Sequence, residues 1–483
     1  MLRLKHFVSS IGLLLGLTIS AGAWSRDEPV PAPNNLKSDQ DAPRLNVEQY
    51  TLENGLTVML SEDHSLPSVA THLVYLVGSG HEEKGRTGFA HLFEHLMFQG
   101  SAHFDHEYFA PFEPIGARTN GNTSSDRTVY YEQVPSQYLE LSLWMESDRM
   151  RSLLPVLSQE KLDNQRDVVK NERRQRYEIT PYGMAFWHMN EALFEAGHPY
   201  QHSTIGSHED LTSASLEDVR AFFERYYVPK NTGLVIVGNF DKTKAKSLVE
   251  KYFGDIPPGV RAPTPKSAPA AAPAARHWVA QDAVQLPRLY FAWTSPALFE
   301  AGDAELDLLS NVLTNGKTSR LFQSLVYEEK LAQSIHAYQI SQKLSGVYVI
   351  QATAAPGTDL DELAAAIERE VSLALQTPPS EQELERAKND YKKSFYHRLE
   401  TFSSRADLIG SYFLHTGSGN SIELDFARYR DAQATEVVAA ARDTIDFEHA
   451  FRLDFVPGDK LAPVSKSAKK PDLALPSPQG ASN

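Results

Sequence analysis

The sequence predicts two similar blocks in tandem, each mixing β-strands with long helices, and three observations carry that reading. PPGVRAPTPKSAPAAAPAAR, residues 257–276, blocks both helix and central strand and reads as an interdomain linker. On each side of it, short apolar or alternating runs and amphipathic helical patterns follow one another in the same order. Placing Gly100 on Gly316 sets LFEHLMFQGS beside LLSNVLTNGK, the kind of trace a diverged duplication leaves.

In the first block, GLTVMLSED (55–63), VATHLVYLVGSG (69–80) and GLVIVGNF (233–240) read as strands. In the second, RLYFAWTS (288–295) and GVYVIQATAAP (346–356) read as strands and 302–314, 358–376 and 379–398 as helices. The expected division is 46–256 for the first domain and 277–458 for the second. Residues 24–45 and 459–483, rich in Pro and polar residues, are expected to be a flexible lead-in and a disordered tail.

The N-terminus carries Arg3 and Lys5, an apolar run over 11–19 and then Ala21-Gly22-Ala23, the three-part pattern of a secretory signal spanning 1–23. That run is too short for a bilayer span of about 20 residues, so no stable membrane anchor is expected after cleavage. The destination is then periplasmic or extracellular. Cleavage removes two positive charges and makes the mature chain more acidic than the formal net charge of -15, which argues against nucleic acid as a general partner. The chain has no cysteine, hence no disulfide, thiol nucleophile or thiolate metal site, and any metal falls to histidine and carboxylate.

HLFEHLMFQG (91–100) offers such ligands. With Thr87 as N-cap and Gly100 as stop, a helix is expected over 88–99. Phe89, Leu92, Phe93, Leu96 and Met97 form its apolar stripe, nearly opposite His91, Glu94 and His95. Histidines at i and i+4 can reach one metal ion, with the intervening glutamate placed to hold a water beside it. HPYQH (198–202) has no carboxylate at ligand spacing and reads as a structural loop, and GSG at 78–80 is too short for a phosphate loop.

HxxEH followed, after 76 intervening residues, by Glu172 in VVKNERRQR resembles the pitrilysin, or insulinase-type, family of zinc peptidases. GLTVML, GRTGFAHLFEHLMFQGS, ARTNGNTSSDRTVYYEQVP, HPYQHSTIGSHEDL and YYVPKNTGLVIVGNFD agree with it, and the resemblance runs over 46–458. It implies an α+β fold of two similar domains, each a mixed, mainly antiparallel sheet with helices packed on one face. It also implies one zinc ion (Zn2+) held by His91, His95 and Glu172, with Glu94 as general base on a zinc-bound water and peptide-bond hydrolysis as the reaction. Gln165, one helical face with Glu172, stands where many members carry a second glutamate and is expected beside the ligands. Asn120, Gly121 and Tyr131 match positions that contact peptide substrates, captured by strand addition.

The family's second half usually carries an Arg and a Tyr seven residues apart that grip the peptide. Arg320 and Tyr327 have that spacing, but aligning SRLFQSLVYEEKLAQS places Val326 and Gln333 at the two positions instead. The chain therefore looks like the catalytic subunit of a heterodimer whose homologous partner supplies the Arg/Tyr pair. The alternative is a non-catalytic structural or assembly subunit. Export should remove residues 1–23, and N-terminal sequencing of the exported protein is expected to read Trp24 first.

Overall fold

The structure is a computed structural model and describes residues 42–266, 276–460 and 462–467. The expected signal, most of the lead-in, the middle of the linker and most of the tail lie outside the described residues.

Among the described residues, two six-stranded sheets form the framework. The first contains β1 (Glu48–Thr51), β2 (Thr57–Glu62), β3 (Ser68–Tyr75), β4 (Arg118–Thr123), β5 (Thr128–Pro135) and β6 (Thr232–Gly238), in the order β1-β2-β6-β3-β5-β4. The second contains β7 (Arg276–Asp282), β8 (Arg288–Ser295), β9 (Ala332–Ser341), β10 (Gly346–Ala354), β11 (Phe451–Pro457) and β12 (Ser465–Ser467), in the order β12-β7-β11-β8-β10-β9. In each sheet one pair is parallel, β2 with β6 and β7 with β11, and every other pair is antiparallel. The shared strand order is a stronger sign of duplication than the helix-and-glycine overlay.

The first half supplies helices α1 (Phe89–Leu96), α2 (Leu139–Ser152), α3 (Gln159–Arg173), α4 (Ala185–Leu193), α5 (His208–Ser213), α6 (Leu216–Tyr226) and α7 (Lys242–Phe253). The second supplies α8 (Asp303–Thr314), α9 (Leu360–Gln376), α10 (Glu381–Arg398), α11 (Phe402–Thr416), α12 (Ile422–Asp431) and α13 (Ala434–Thr444). Ser215, Asp241, Asp359 and Ser380 cap α6, α7, α9 and α10 through side-chain oxygens, as these residue types do at N-caps.

Strand parity divides the first sheet between two cores. Leu73, Leu234 and Ile236 face the core built by α1, α2 and α6, whereas Val74, Val235 and Val237 face one continuous with the second half. On that second face lies α11, through Phe402, Ala406, Ile409 and Phe413. The exchange is reciprocal: Ala185, Met189 and Leu193 of α4 cover Trp278, Tyr290 and Phe451 on the second sheet. Each sheet therefore carries its own helices on one face and a helix of the other half on its second face. Covering both faces explains why β3 and β6 are buried almost throughout and read as apolar runs.

Three local expectations need correction. Ala42 and Leu45, assigned to the lead-in, are buried in the shared core, because small and apolar side chains there find an apolar surface. Ser465–Ser467, assigned to the tail, pair antiparallel with β7, since backbone hydrogen bonding at a sheet edge needs no apolar side chain. The metal-motif helix spans 89–96 rather than 88–99 and is entered through Gly88 at φ 88°, not capped by Thr87. The Thr87 hydroxyl is committed to Asp210, while Glu82 accepts from the amides of Gly88 and Ala90 and performs the capping.

Gly233 marks the closest seat of α11 on the first sheet: a Cβ there would stand 2.6 Å from Cε1 of Phe413. Gly233→Ala should therefore cost about 1–3 kcal/mol through overpacking, measured by urea unfolding.

Candidate metal centre

Three first-half elements, α1, α3 and β4, assemble the site. The apolar stripe of α1 is buried as its periodicity predicts, with Phe89, Leu92, Phe93, Leu96 and Met97 all in the core. This fixes the rotation of the helix and sends His91 and His95 toward α3. Their rings lie 4.8 Å apart at 74°, and Oε2 of Glu172 on α3 stands 3.8 Å from Nε2 of His91 and 3.2 Å from Nε2 of His95.

Among the described residues this is the one group of three or more His, Cys, Asp or Glu side chains whose ligand atoms converge, all within 4.8 Å of one another. Tetrahedral zinc with bonds of about 2.0–2.2 Å needs donors roughly 3.3 Å apart, so the set fits zinc with little rearrangement. Electrostatics favour the donor forms of His91 and Glu172, whereas His95, although burial lowers it, is held above the usual imidazole range by its hydrogen bond with Glu172 and the charge of Glu94. Burial pushes the His91 imidazole down to about 4, leaving it neutral with a free electron pair. Burial would raise Glu172, but its hydrogen bond with His95 and the charge of Arg176 outweigh that and hold it below the usual carboxylate range. Arg176 Nη1 binds Oε1 of Glu172 at 2.9 Å, leaving Oε2 to face the histidines.

Glu94, nearly opposite the apolar stripe, is nonetheless buried, beneath the edge strand β4. The Thr123 hydroxyl donates to its Oε2 at 2.5 Å, and an added Cβ on Gly121 would lie 3.1 Å from its Oε1. Glycine at 121 lets strand and carboxylate approach this closely. Burial pushes the Glu94 carboxyl up to about 7, against the pull of Thr123 and His95. A group of that kind can both take and return a proton near neutrality.

Gln165 is buried on α3, donates to Asn164 Oδ1 at 2.9 Å and lies beside His95, whose proton affinity it helps raise. Gly121 and Asn120 both lie on β4, at the open edge of the first sheet, but point to opposite faces, with Gly121 toward Glu94 and Asn120 exposed. The Gly121 amide is bonded to Asn120 Oδ1 at 2.9 Å. Tyr131, paired with Asn120 across β4 and β5, shares its face and stacks on His72 at 5.2 Å.

Thr123, Arg176 and Glu82 were missed from the sequence. Arg176 was findable as the i+4 partner of Glu172. Glu82 explains HPYQH: His202 Nε2 lies 2.9 Å from Oε2 of that capping carboxylate.

At the related helix pair of the second half, Tyr429 donates to Asp307 at 2.8 Å, Ser310 donates to Tyr348 at 3.2 Å and Asn311 donates to Asp390 at 3.1 Å. Asp307, Ser310 and Asn311 are buried and each is hydrogen-bonded, although Oδ1 of Asn311 has no partner among the described residues. Arg320 grips Glu383 and the carbonyls of Thr377 and Pro378, a structural tie, while Tyr327 is exposed.

Residues 57–205 match Insulinase (Peptidase family M16), and residues 213–391, beyond the four residues of the site, match Peptidase M16 inactive domain. The chain is 28% identical over 404 residues to zinc protease PqqE of Helicobacter pylori, covering 82% of this chain and 89% of that protein. It is 25% identical to mitochondrial-processing peptidase subunit beta of Lentinula edodes, covering 76% of this chain and 80% of that one. A crystal structure of a protease from Helicobacter pylori aligns with TM-score 0.80 at 26% identity, covering 86% of this chain and 100% of that chain. The crystal structure of pitrilysin shares the fold at TM-score 0.73 and 18% identity, covering 91% of this chain and 48% of that one. With both halves matched, the chain belongs to the insulinase family of peptidases, M16.

Proposed function

We propose that this chain is an exported zinc metalloendopeptidase acting on unfolded peptides, and that it is the catalytic subunit of a two-subunit enzyme. The observation that carries the reading is the convergence of His91, His95 and Glu172 beside a buried glutamate that is free to handle protons. Relatives named zinc proteases support the same chemistry.

Zinc held by the three donors would supply Lewis acidity, polarising the scissile carbonyl and making a water acidic enough to attack near neutral pH. Glu94 accepts the proton of the attacking water and returns it to the leaving amine nitrogen. Thr123 fixes the carboxylate rotamer by donating to one oxygen and leaves the other available for that transfer. Arg176 and Gln165 hold Glu172 and His95 in place. The open edge of β4 offers main-chain hydrogen bonds to an extended peptide, which gives affinity without strong sequence preference.

The site's position supports a partner. The second half of this chain sends α11 to the sheet face opposite α1, and Arg320 is committed to Glu383. Groups that close over the peptide then come from a homologous chain carrying the Arg/Tyr pair. A monodisperse monomer with full peptidase activity would contradict this assignment.

Glu94→Gln should keep one zinc per chain by elemental analysis while peptide hydrolysis falls by about 10²–10⁴-fold. Parental activity in that variant would overturn the mechanism. Zinc titration of Arg176→Ala should show affinity weakened about 10–100-fold, since the ligand loses its orienting partner.

A further inference from the structure

The turn between β4 and β5 is held by the second half of the chain. Oδ2 of Asp126 accepts from the amide of Lys343, and Oδ1 accepts from the Tyr200 hydroxyl at 2.6 Å. The same hydroxyl accepts from the amide of Leu344 at 2.9 Å. Lys343 and Leu344 form the turn between β9 and β10, so the tips of two equivalent hairpins, one from each sheet, are bound together. Beside them, Arg127 Nη2 contacts Asp407 on α11 at 2.6 Å. From the first half, the amides of Ser79 and Gly80 donate to the carbonyls of Ser124 and Ser125 at 3.1 and 2.8 Å.

An edge strand has one partner strand and frays unless its ends are tied. Here β4 carries Gly121 and Thr123 against Glu94, yet among the described residues its only strand neighbour is β5. Asp126 is buried and Arg127 nearly so, and both reach across to the second half, Asp126 to the β9–β10 turn and Arg127 to α11.

The geometry points to Asp126 and Arg127 as positioning residues, through which the metal-free half of the chain locks the β4 platform against Glu94 and keeps its edge ready for an extended peptide. This rests on the peptidase reading for its functional consequence, but the locking itself is measurable without activity. It gives the second half a role independent of any partner subunit: it braces the hairpin from which the peptide-facing strand is built.

The test is hydrogen exchange on the full chain by mass spectrometry, comparing the parent with Arg127→Met, Arg127→Lys and Asp126→Asn. Asp126→Asn preserves volume but replaces one of two acceptors with a donor. In Arg127→Met and Asp126→Asn, amides of 118–123 are expected to exchange about tenfold faster or more, with β3 and β6 unchanged and zinc stoichiometry retained. Arg127→Lys should restore most of the protection. Cleavage of fluorescein-labelled casein, with whatever partner it requires, should show KM raised more than kcat is lowered. Unchanged protection in 118–123, or acceleration shared equally by β3 and β6, would overturn the proposal. Loss of protection in a chain that cleaves no casein under any condition would leave the locking intact and count against the peptidase reading instead.

Discussion

The contact on which the site depends is the close approach of an edge strand to a buried carboxylate. Burying Glu94 raises its proton affinity into the neutral range, and that requires β4 to lie directly over α1. A side chain at 121 would hold the strand away; glycine permits the approach, and Thr123 supplies one hydrogen bond in place of water. Glu172 obeys the opposite logic. Its neighbours are cationic or donate hydrogen bonds, so it stays a carboxylate although it is also partly buried. Two glutamates beside the same histidines are thus driven in opposite directions, which suits one to proton transfer and the other to a ligand role.

That division of roles sits on a duplicated framework whose halves have diverged. Both sheets keep the same strand order, and both helix pairs, α1 with α3 and α8 with α10, pack together. Where the first half gathers His91, His95 and Glu172, the second pairs Asn311 with Asp390 and Asp307 with Tyr429. The exchange of α4 and α11 joins the halves through apolar cores on both sheets, so neither presents a bare sheet face. A rigid junction of this kind allows contacts far in sequence, such as Arg127 with Asp407, to bear on the geometry of β4.

Much of this was legible in the sequence because the relevant signals are periodic. The stripe of α1 fixed which side chains point away from the core, and the helices near 302–314, 358–376 and 379–398 emerged within two residues of the observed α8, α9 and α10. Glu172 could be located only through the family spacing, since nothing local distinguishes it from other glutamates of α3. The helix exchange was not legible: amphipathicity says that a helix packs, not against which sheet. Nor was the covering of Glu94, because Thr123 meets it through the tertiary fold across 29 positions. Nor was the division of β4 legible, since Asn120 and Gly121 are adjacent on that strand and face opposite ways, with Tyr131 on the Asn120 side. Three polar residues, Ser465–Ser467, carried no apolar signal at all, yet complete a sheet through backbone bonds.

The most direct measurement is anomalous X-ray scattering at the zinc absorption edge from crystals of the purified chain. The account predicts a single strong peak between His91 Nε2, His95 Nε2 and Glu172 Oε2, with the Glu94 carboxylate beside the metal but outside its ligand set. A zinc peak bound by Glu94 in place of Glu172, or no peak at this site in zinc-loaded crystals, would contradict it.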